Sequence, residues 1–349
     1  MKQFNLPWHL SEHYWIRLDP KHSSLPANLV PLLVTIGMKQ QGDGAMIIKT
    51  ETKWKIVWDR IDSAIQQAGA ADAVDAIVTD TPEAPHSKLI PDHKSVIDPR
   101  VMAGSLWVGD ALLDDRIMCY LQPVMNAKNQ IFGYESFARI KKTDGTIIDG
   151  ADIVAASKTL GIEHMIDRHL HVQAIMTFAN SEFPGFLFIN FFPGFIHRPA
   201  VYLEGLSETA KRHGVIAKHI VLDFTKSETP HDLMHIKNVS EYGRSCGYSV
   251  ALDDITSVDM VRRLVKEIRP DFVKIDTHLV QMVLDNGKRE TIRIIVELVH
   301  AAGGVVIAEG VELPEIYEAL KLLGVDLFQG YLFSPPVPVE AALKRGSAV

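Results

Sequence analysis

From Ile117 onward the chain alternates short apolar runs with amphipathic stretches. The runs are IMCYLQPV, IFGYESF, FLFIN, IVLD, SVALDD, FVKID, VVIAE and LFQGYLF. Each is short and continuous enough for a strand buried on both faces. The stretches between most of them read as helices with legible ends. Ser257 stands before VDMVRRLVKEIRP, with Pro270 just past its end; Glu241 to Arg244 leads to Gly247 as a C′ residue; the segment carrying Leu298 runs out into Gly303 and Gly304. Eight strands alternating with helices predict a TIM-like (β/α)8 barrel of α/β class over 113–349, and a doubly wound sheet is the alternative.

The first hundred residues have a different texture. Leu29–Thr35 reads as a strand and Trp54–Ala76 as a helix with apolar residues at mixed three and four spacing. Together they predict a small α/β or α+β domain over 1–100 with a regulatory role. Its Trp, His and Tyr residues near the N-terminus read as core rather than as pocket lining. The stretch from Thr79 to Arg100 carries four prolines, which exclude a regular helix or a central strand and mark a linker. A connecting helix is expected over 101–112.

Composition narrows the function classes. Apolar residues make up 47% and charged ones 23%, enough to build a core. The formal charge of −7 argues against DNA, RNA or an anionic membrane as broad partners, since each requires a basic face. Cys119 and Cys246 lack the spacing of a disulfide framework or a thiolate zinc site. No apolar run reaches the length of a membrane span, and the first residues lack the apolar centre of a signal peptide, so a cytoplasmic location is expected.

The candidate chemistry lies where the runs end. Glu135, Asn190, Asp223, the pair Asp253–Asp254, Lys274, Glu309 and Gln329 each stand at or next to the end of a predicted strand. In a parallel barrel those ends converge on one rim, where barrel enzymes carry their reactive groups. One Asp or Asn after a strand is ordinarily a helix cap or turn residue. Capping does not account for Lys274, Glu309 or Glu135, whose side chains are poor caps. Five carboxylates on one rim repel one another unless a cation joins them. Oxygen ligands without His or Cys select a hard divalent ion, Mg²⁺, Mn²⁺ or Ca²⁺. Adjacent Asp253 and Asp254 suit a two-ion phosphodiester hydrolysis, with Lys274 holding the attacking water.

The segment YLQPVMNAKNQIFGYESFARI resembles the opening of EAL phosphodiesterase domains, with Glu135, Ser136 and Phe137 where the signature Glu-Ala-Leu stands. INFFP, DFVKID, VIAEGVE and QGYLFSPP resemble later motifs of that family in the same order, so the resemblance covers Leu113 to Val339. It implies hydrolysis of cyclic di-GMP to pGpG at a Mg²⁺ or Mn²⁺ site, with Ca²⁺ binding but not supporting catalysis. By motif position it assigns Glu135, Asn190, Asp223 and Asp253 to metal and Asp254 to a second ion. Lys274 and Glu309 would position and deprotonate water, Gln329 would support that water, and Arg139 would pair with a phosphate.

Three departures bear on turnover. DFTK replaces the family's Glu-x-Thr-Glu, so Asp223 is one methylene shorter than the usual ligand and Lys226 reverses a charge. DDITSV replaces DDFGTG, removing two glycines from a loop that in the family arranges the second ion and contributes to dimer contacts. Slow hydrolysis is therefore set against a non-catalytic cyclic di-GMP receptor and a protein-interaction scaffold that binds no nucleotide. An enolase-type barrel is a further alternative, but it leaves Asn190 without a role and lacks a paired lysine after the second strand. A homodimer and a protein partner for the N-terminal domain are left open.

Overall fold

The computed structural model describes residues 13–346, except 22–23, 52–53, 72, 80–98, 182, 184, 194–195, 197 and 226–231. The chain divides into two compact units, 1–114 with 151–163, and 115–150 with 164–349. Lys226, residues 80–98 of the Pro-rich stretch and the side chains of the N-terminal Trp, His and Tyr residues lie outside the described residues.

The first unit runs β1 (His13–Pro20), α1 (Val30–Ile36), β2 (Lys39–Gln40), β3 (Met46–Glu51), α2 (Trp54–Gln67) and β4 (Val74–Thr79), followed by α3 (Pro99–Leu113). The sheet order is β2-β3-β1-β4 with every neighbouring pair antiparallel, the split β-α-β arrangement doubled. Ile16, Leu18, Leu33, Met46, Ile61 and Ile65 are buried in it.

Two expectations fail here. Leu29–Thr35 is not a strand but part of the entry to α1: Pro31 sits in the first turn, and Gly37 at φ 102° closes the helix by donating to Leu33 and Val34. Leu29 and Leu33, four apart, are buried while Val34 is exposed, which is helical spacing. The helix expected to reach Ala76 stops at Gln67 because the chain turns at Gly69, φ 63°, and re-enters the sheet as β4.

In the second unit β5 (Ile117–Asn126) and β6 (Ile131–Lys141) form a hairpin, with the short β7 (Ile147–Ile148) paired to β6. Asn126 makes the turn, its Oδ1 accepting from the Lys128 and Gln130 backbone. The chain then passes through α4 (Gly150–Leu160), which belongs to the first unit, and returns with α5 (Glu163–Asn180), β8 (Phe186–Phe191), α6 (Pro199–Arg212), β9 (Ile220–Phe224) and α7 (Asp232–Ser245). Then follow β10 (Ser249–Ile255), α8 (Val258–Ile268), β11 (Phe272–Ile275), α9 (Thr277–Gln281), α10 (Asn286–Ala301) and β12 (Val305–Ala308). The unit ends with α11 (Pro314–Leu322), β13 (Leu327–Phe328), β14 (Val337–Pro338) and α12 (Val339–Gly346).

Eight strands close in the order β5-β6-β8-β9-β10-β11-β12-β13, with β13 returning to β5. The barrel is TIM-like but not wholly parallel, since β5 is antiparallel to both neighbours. A hairpin and not a helix joins β5 to β6, because the four-residue link Ala127–Gln130 is far too short for a crossover. Of the run LFQGYLF only Leu327–Phe328 is strand. Period two sorts the side chains: Leu187, Ile189, Phe191, Ile220, Leu222 and Phe224 join the outer core with the helices, while Phe188, Val221, Ala251, Phe272, Ile307 and Leu327 fill the barrel interior.

Candidate functional site

Each residue of that interior layer is followed two positions later by a polar one: Phe188 by Asn190, Val221 by Asp223, Ala251 by Asp253, Phe272 by Lys274, Ile307 by Glu309 and Leu327 by Gln329. Because successive side chains alternate across a strand, these six polar residues stand on the apolar plug as the next layer up. On antiparallel β5 the order reverses, so Val124 lies in the plug and Gln122 in the polar layer. On β6, Gly133 precedes Glu135 by the same two positions, and a Cβ there would come within 2.6 Å of the Phe186 carbonyl. Glycine lets β6 approach β8 where the layer begins.

Lys274 is the centre of the layer, with 1% of its surface exposed. Its Nζ lies 2.8 Å from Glu135 Oε2, 2.8 Å from Asp223 Oδ2, 2.6 Å from Glu309 Oε1 and 3.8 Å from Asp253 Oδ1. Glu135 is held on both oxygens. Asn190 Nδ2 donates to Oε1 at 2.8 Å and Gln329 Nε2 to Oε2 at 2.8 Å, while Gln329 also donates to Gln122 at 3.1 Å. Gln122 in turn donates to the Ser334 carbonyl at 3.0 Å, tying the layer to the loop after β13.

Burial drives the Asp223 and Glu309 carboxyls well above the ordinary carboxylate range, and Lys274 only partly offsets it. Burial alone would push the Lys274 ammonium down, but the field of Asp223, Asp253, Glu135 and Glu309 outweighs it and holds Lys274 well above the usual lysine value. Fully ionised, the layer would carry more negative charge than one ammonium can neutralise, and the raised carboxyl values are the response to that excess. Two of its buried oxygens, Asp223 Oδ1 and Gln329 Oε1, have no hydrogen-bond partner among the described residues. An unsatisfied buried carboxylate oxygen is costly, and a cation answers it.

A cation also suits the rim. One oxygen each from Asp253, Asp254 and Glu309 lies within 4.8 Å of the others. Strand alternation would turn Asp254 outward from Asp253. Instead the β10–β11 register shifts between Leu252 and Ile255, and Asp254 takes φ 57°, a left-handed conformation that Asp tolerates. The loop without glycines is thus a bulged end of β10, and Ser257 caps α8 directly by accepting from the Met260 backbone. All-oxygen donors, an orphaned buried carboxylate oxygen and three converging carboxylates fit a hard divalent ion.

The structure brings Glu135, Asn190, Asp223, Asp253, Lys274, Glu309 and Gln329 into one layer and sets Asp254 at its edge. Glu135 is not at a strand end as expected: β6 runs on to Lys141 because β5 and β7 both pair with it. Arg139, four residues beyond, donates to the Ala138 carbonyl at 2.7 Å and lies over the Tyr120 ring at 5.4 Å. Gln122 went unnoticed in the sequence, although it precedes Val124 by the two-residue step that places the others. Behind Asn190 lies a cluster of buried Asp167 and His171 with partly buried Tyr202, also unnoticed. Burial pushes the Asp167 carboxyl up.

No helix among the described residues is long and apolar enough to cross a membrane. A family model described as the EAL domain matches residues 107–336. The cyclic di-GMP phosphodiesterase PdeF of Escherichia coli strain K12 is 23% identical over 239 residues, covering 67% of this chain and 32% of PdeF. The chain spans about a third of the length of such relatives. Among solved structures, the EAL enzyme Bd1971 in its cAMP- and cyclic-di-GMP-bound form has a TM-score of 0.63 at 18% identity, covering 86% of this chain and 81% of that one. The EAL domain of FimX from Xanthomonas citri, in complex with c-diGMP, has a TM-score of 0.62 at 21% identity, covering 69% and 95%. At those identities the structures speak for the fold. The family match takes in well over half of the 349 residues, and the chain belongs to the EAL domain family.

Proposed function

We propose that the barrel hydrolyses cyclic di-GMP to pGpG with a bound Mg²⁺ or Mn²⁺ ion. The observation that carries the reading is the over-supplied carboxylate layer around Lys274, with Asp223 Oδ1 buried and unpartnered among the described residues. Relatives named as cyclic di-GMP phosphodiesterases and neighbours solved with that nucleotide support the choice of substrate.

Glu135, Asn190, Asp223 and Asp253 would hold one ion, and Asp254 would serve a second. A divalent ion supplies charge neutralisation at the phosphoryl oxygens and lowers the pKa of water. The remaining work falls to the protein. Glu309 would be the proton acceptor, its affinity for protons raised by burial. Lys274 holds Glu135, Asp223 and Glu309 at fixed spacing and screens their repulsion. Gln329 orients Glu135 through Nε2 and keeps Oε1 available to accept a hydrogen from water. Arg139 offers a planar fork that donates in pairs to a phosphate.

A second reading has its own support. Lys274 already bonds Asp223 and Glu309 directly, so the ammonium competes with an ion for the shorter Asp223 side chain. If the ammonium prevails, the barrel is a receptor that binds cyclic di-GMP without turnover. Incubation with cyclic di-GMP in Mg²⁺ and then Mn²⁺, with pGpG followed by chromatography, separates the two. The hydrolase reading expects product that is lost in Glu309→Gln and increased in Asp223→Glu. Binding by calorimetry without product would establish the receptor, and neither binding nor product would leave a protein-interaction scaffold.

A further inference from the structure

We propose that Asp167, Tyr202 and His171 form a positioning relay behind the barrel wall that fixes the backbone of Asn190 and so aims its carboxamide into the site. Asp167 and His171 are one turn apart on the barrel-facing side of α5, and Tyr202 is on α6. His171 Nε2 lies 2.8 Å from the Asn190 carbonyl oxygen. His171 Nδ1 lies 2.7 Å from the Tyr202 hydroxyl, which lies 3.1 Å from Asp167 Oδ2. The imidazole plane is fixed as well: it stacks on Phe191, centroids 5.3 Å apart and 6° from parallel, and Phe191 meets Tyr202 edge-on at 5.8 Å.

The proton inventory makes this a directed device. A carbonyl oxygen only accepts, so Nε2 must carry a hydrogen. The Tyr202 hydroxyl has one hydrogen to share between two neighbours. Either a neutral imidazole accepts it and a protonated Asp167 donates to the hydroxyl, or an imidazolium donates to the hydroxyl, which donates to carboxylate Asp167. Both arrangements contain the same protons, and both leave Nε2–H on Asn190. The relay therefore holds its target without depending on which form is present.

What it holds is one of the two amides of the layer that donate to Glu135, the one that takes Oε1. Asn190 Nδ2 donates to Glu135 Oε1, so its Oδ1 is left to face elsewhere in the site, and that direction follows from where the backbone of β8 sits. The inner side of Asn190 is thus set by Glu135 and the outer side by His171. An apolar filling of the same space would stabilise the α5–α6 packing at lower desolvation cost. A polar trio, two of its members buried, that terminates on this carbonyl is instead the arrangement by which a supporting shell orients a ligand.

The test uses the full chain and two readouts, of which only the second rests on the ion-site reading of Asn190. In metal-free, isotope-labelled protein, solvent exchange of the Asn190 side-chain amide is followed by NMR. His171→Leu is expected to speed it about 10-fold, Tyr202→Phe to speed it less, and His171→Gln, which keeps a terminal N–H, to restore slow exchange. Ile175→Ala, one turn along α5 and fully buried, lowers stability without touching the relay and should leave the amide slow. In the second readout Mn²⁺ affinity should fall about 10-fold in His171→Leu and recover in His171→Gln, the size seen when such outer partners are removed. Unchanged exchange in His171→Leu, or equal acceleration by Ile175→Ala, overturns the relay. A wild-type chain that binds no Mn²⁺ sinks the ion-site reading, while the exchange data still decide the relay.

Discussion

Each unit of the chain buries one long cation among carboxylates. Arg17 in the first unit is 4% exposed and Lys274 in the barrel 1%. Arg17 meets Asp19 and Asp43, whose side chains keep 32% and 53% of their exposure. Lys274 meets Glu135, Asp223, Asp253 and Glu309, whose side chains keep 3%, 0%, 10% and 18%. Water shares the neutralisation in the first case, so the cluster is complete as a staple between β1 and the loop before β3. In the second, water reaches little of the cluster and one positive charge faces four carboxyls, with Asp223 Oδ1 unpartnered among the described residues. On the proposed reading, the same pairing chemistry is structural where solvent completes the neutralisation and functional where a further cation would.

The largest expected separation is catalytic. Glu309→Gln removes the proton acceptor and should slow pGpG formation by about 10²–10⁴-fold while cyclic di-GMP still binds. Arg17→Met should leave turnover per folded molecule unchanged. A loss of turnover in Arg17→Met would break the distinction between the two clusters.

Stability comes next. In metal-free protein, Lys274→Met strands buried carboxylates and should cost about 3–5 kcal/mol in denaturant unfolding. Arg17→Met, with partly solvated partners, should cost about 1–2 kcal/mol. Equal losses would mean that Lys274 is no more than a second staple. Mn²⁺ at about 100 times its Kd should add about 2.7 kcal/mol to the wild type. It should add nothing to Asp223→Asn if that carboxylate is the ligand.

The pH response sharpens the same point. Asp223 and Glu309 have folded values above their unfolded ones, so the folded state holds their protons more tightly. Their contribution to stability is complete below the ordinary carboxylate range and is lost as pH rises through the raised values. Lys274, also raised, contributes stability that persists below the ordinary lysine value and is lost only as pH rises past its folded one. Metal-free protein should therefore lose stability as pH climbs above the carboxylate range, and the Mn²⁺-induced gain in Tm should grow over the same interval. A gain that shrinks with rising pH would contradict the ligand assignment.

How much of this was legible depends on which signal each residue carries. The barrel and its polar layer follow from continuous apolar runs ending in Asp, Lys, Glu and Gln, because a strand's two-residue period is written directly in the sequence. Gln122 follows from the same step read backward, but that reading needs β5 to be antiparallel, a fact held in the short turn at Asn126. The Leu29–Thr35 stretch misled because VPLLVT is rich in β-branched residues, although Pro31 and Gly37 are the helix's own start and stop. Asp167, His171 and Tyr202 are spread over two helices, and only tertiary packing joins them to Asn190. The path after Asp254 was also beyond reach, since a bulge carried by a non-glycine residue at positive φ leaves no mark in composition.

The smallest effect concerns the thiols. Burial pushes Cys119 up to about 11, so at pH 8 only about 0.1% is thiolate. An alkylating reagent should modify Cys246 in the native protein and reach Cys119 only on unfolding. Rapid modification of both would show that the β5 side of the barrel wall is wetter than the buried layer requires.

The most direct test is anomalous diffraction from crystals grown with Mn²⁺. The expected result is a peak about 2.0–2.6 Å from Asp223 Oδ1, with Glu135, Asn190 and Asp253 oxygens also in bonding range. A structure in which Lys274 stays on Asp223 and Glu309, and no ion comes within reach of Asp223, would contradict the account.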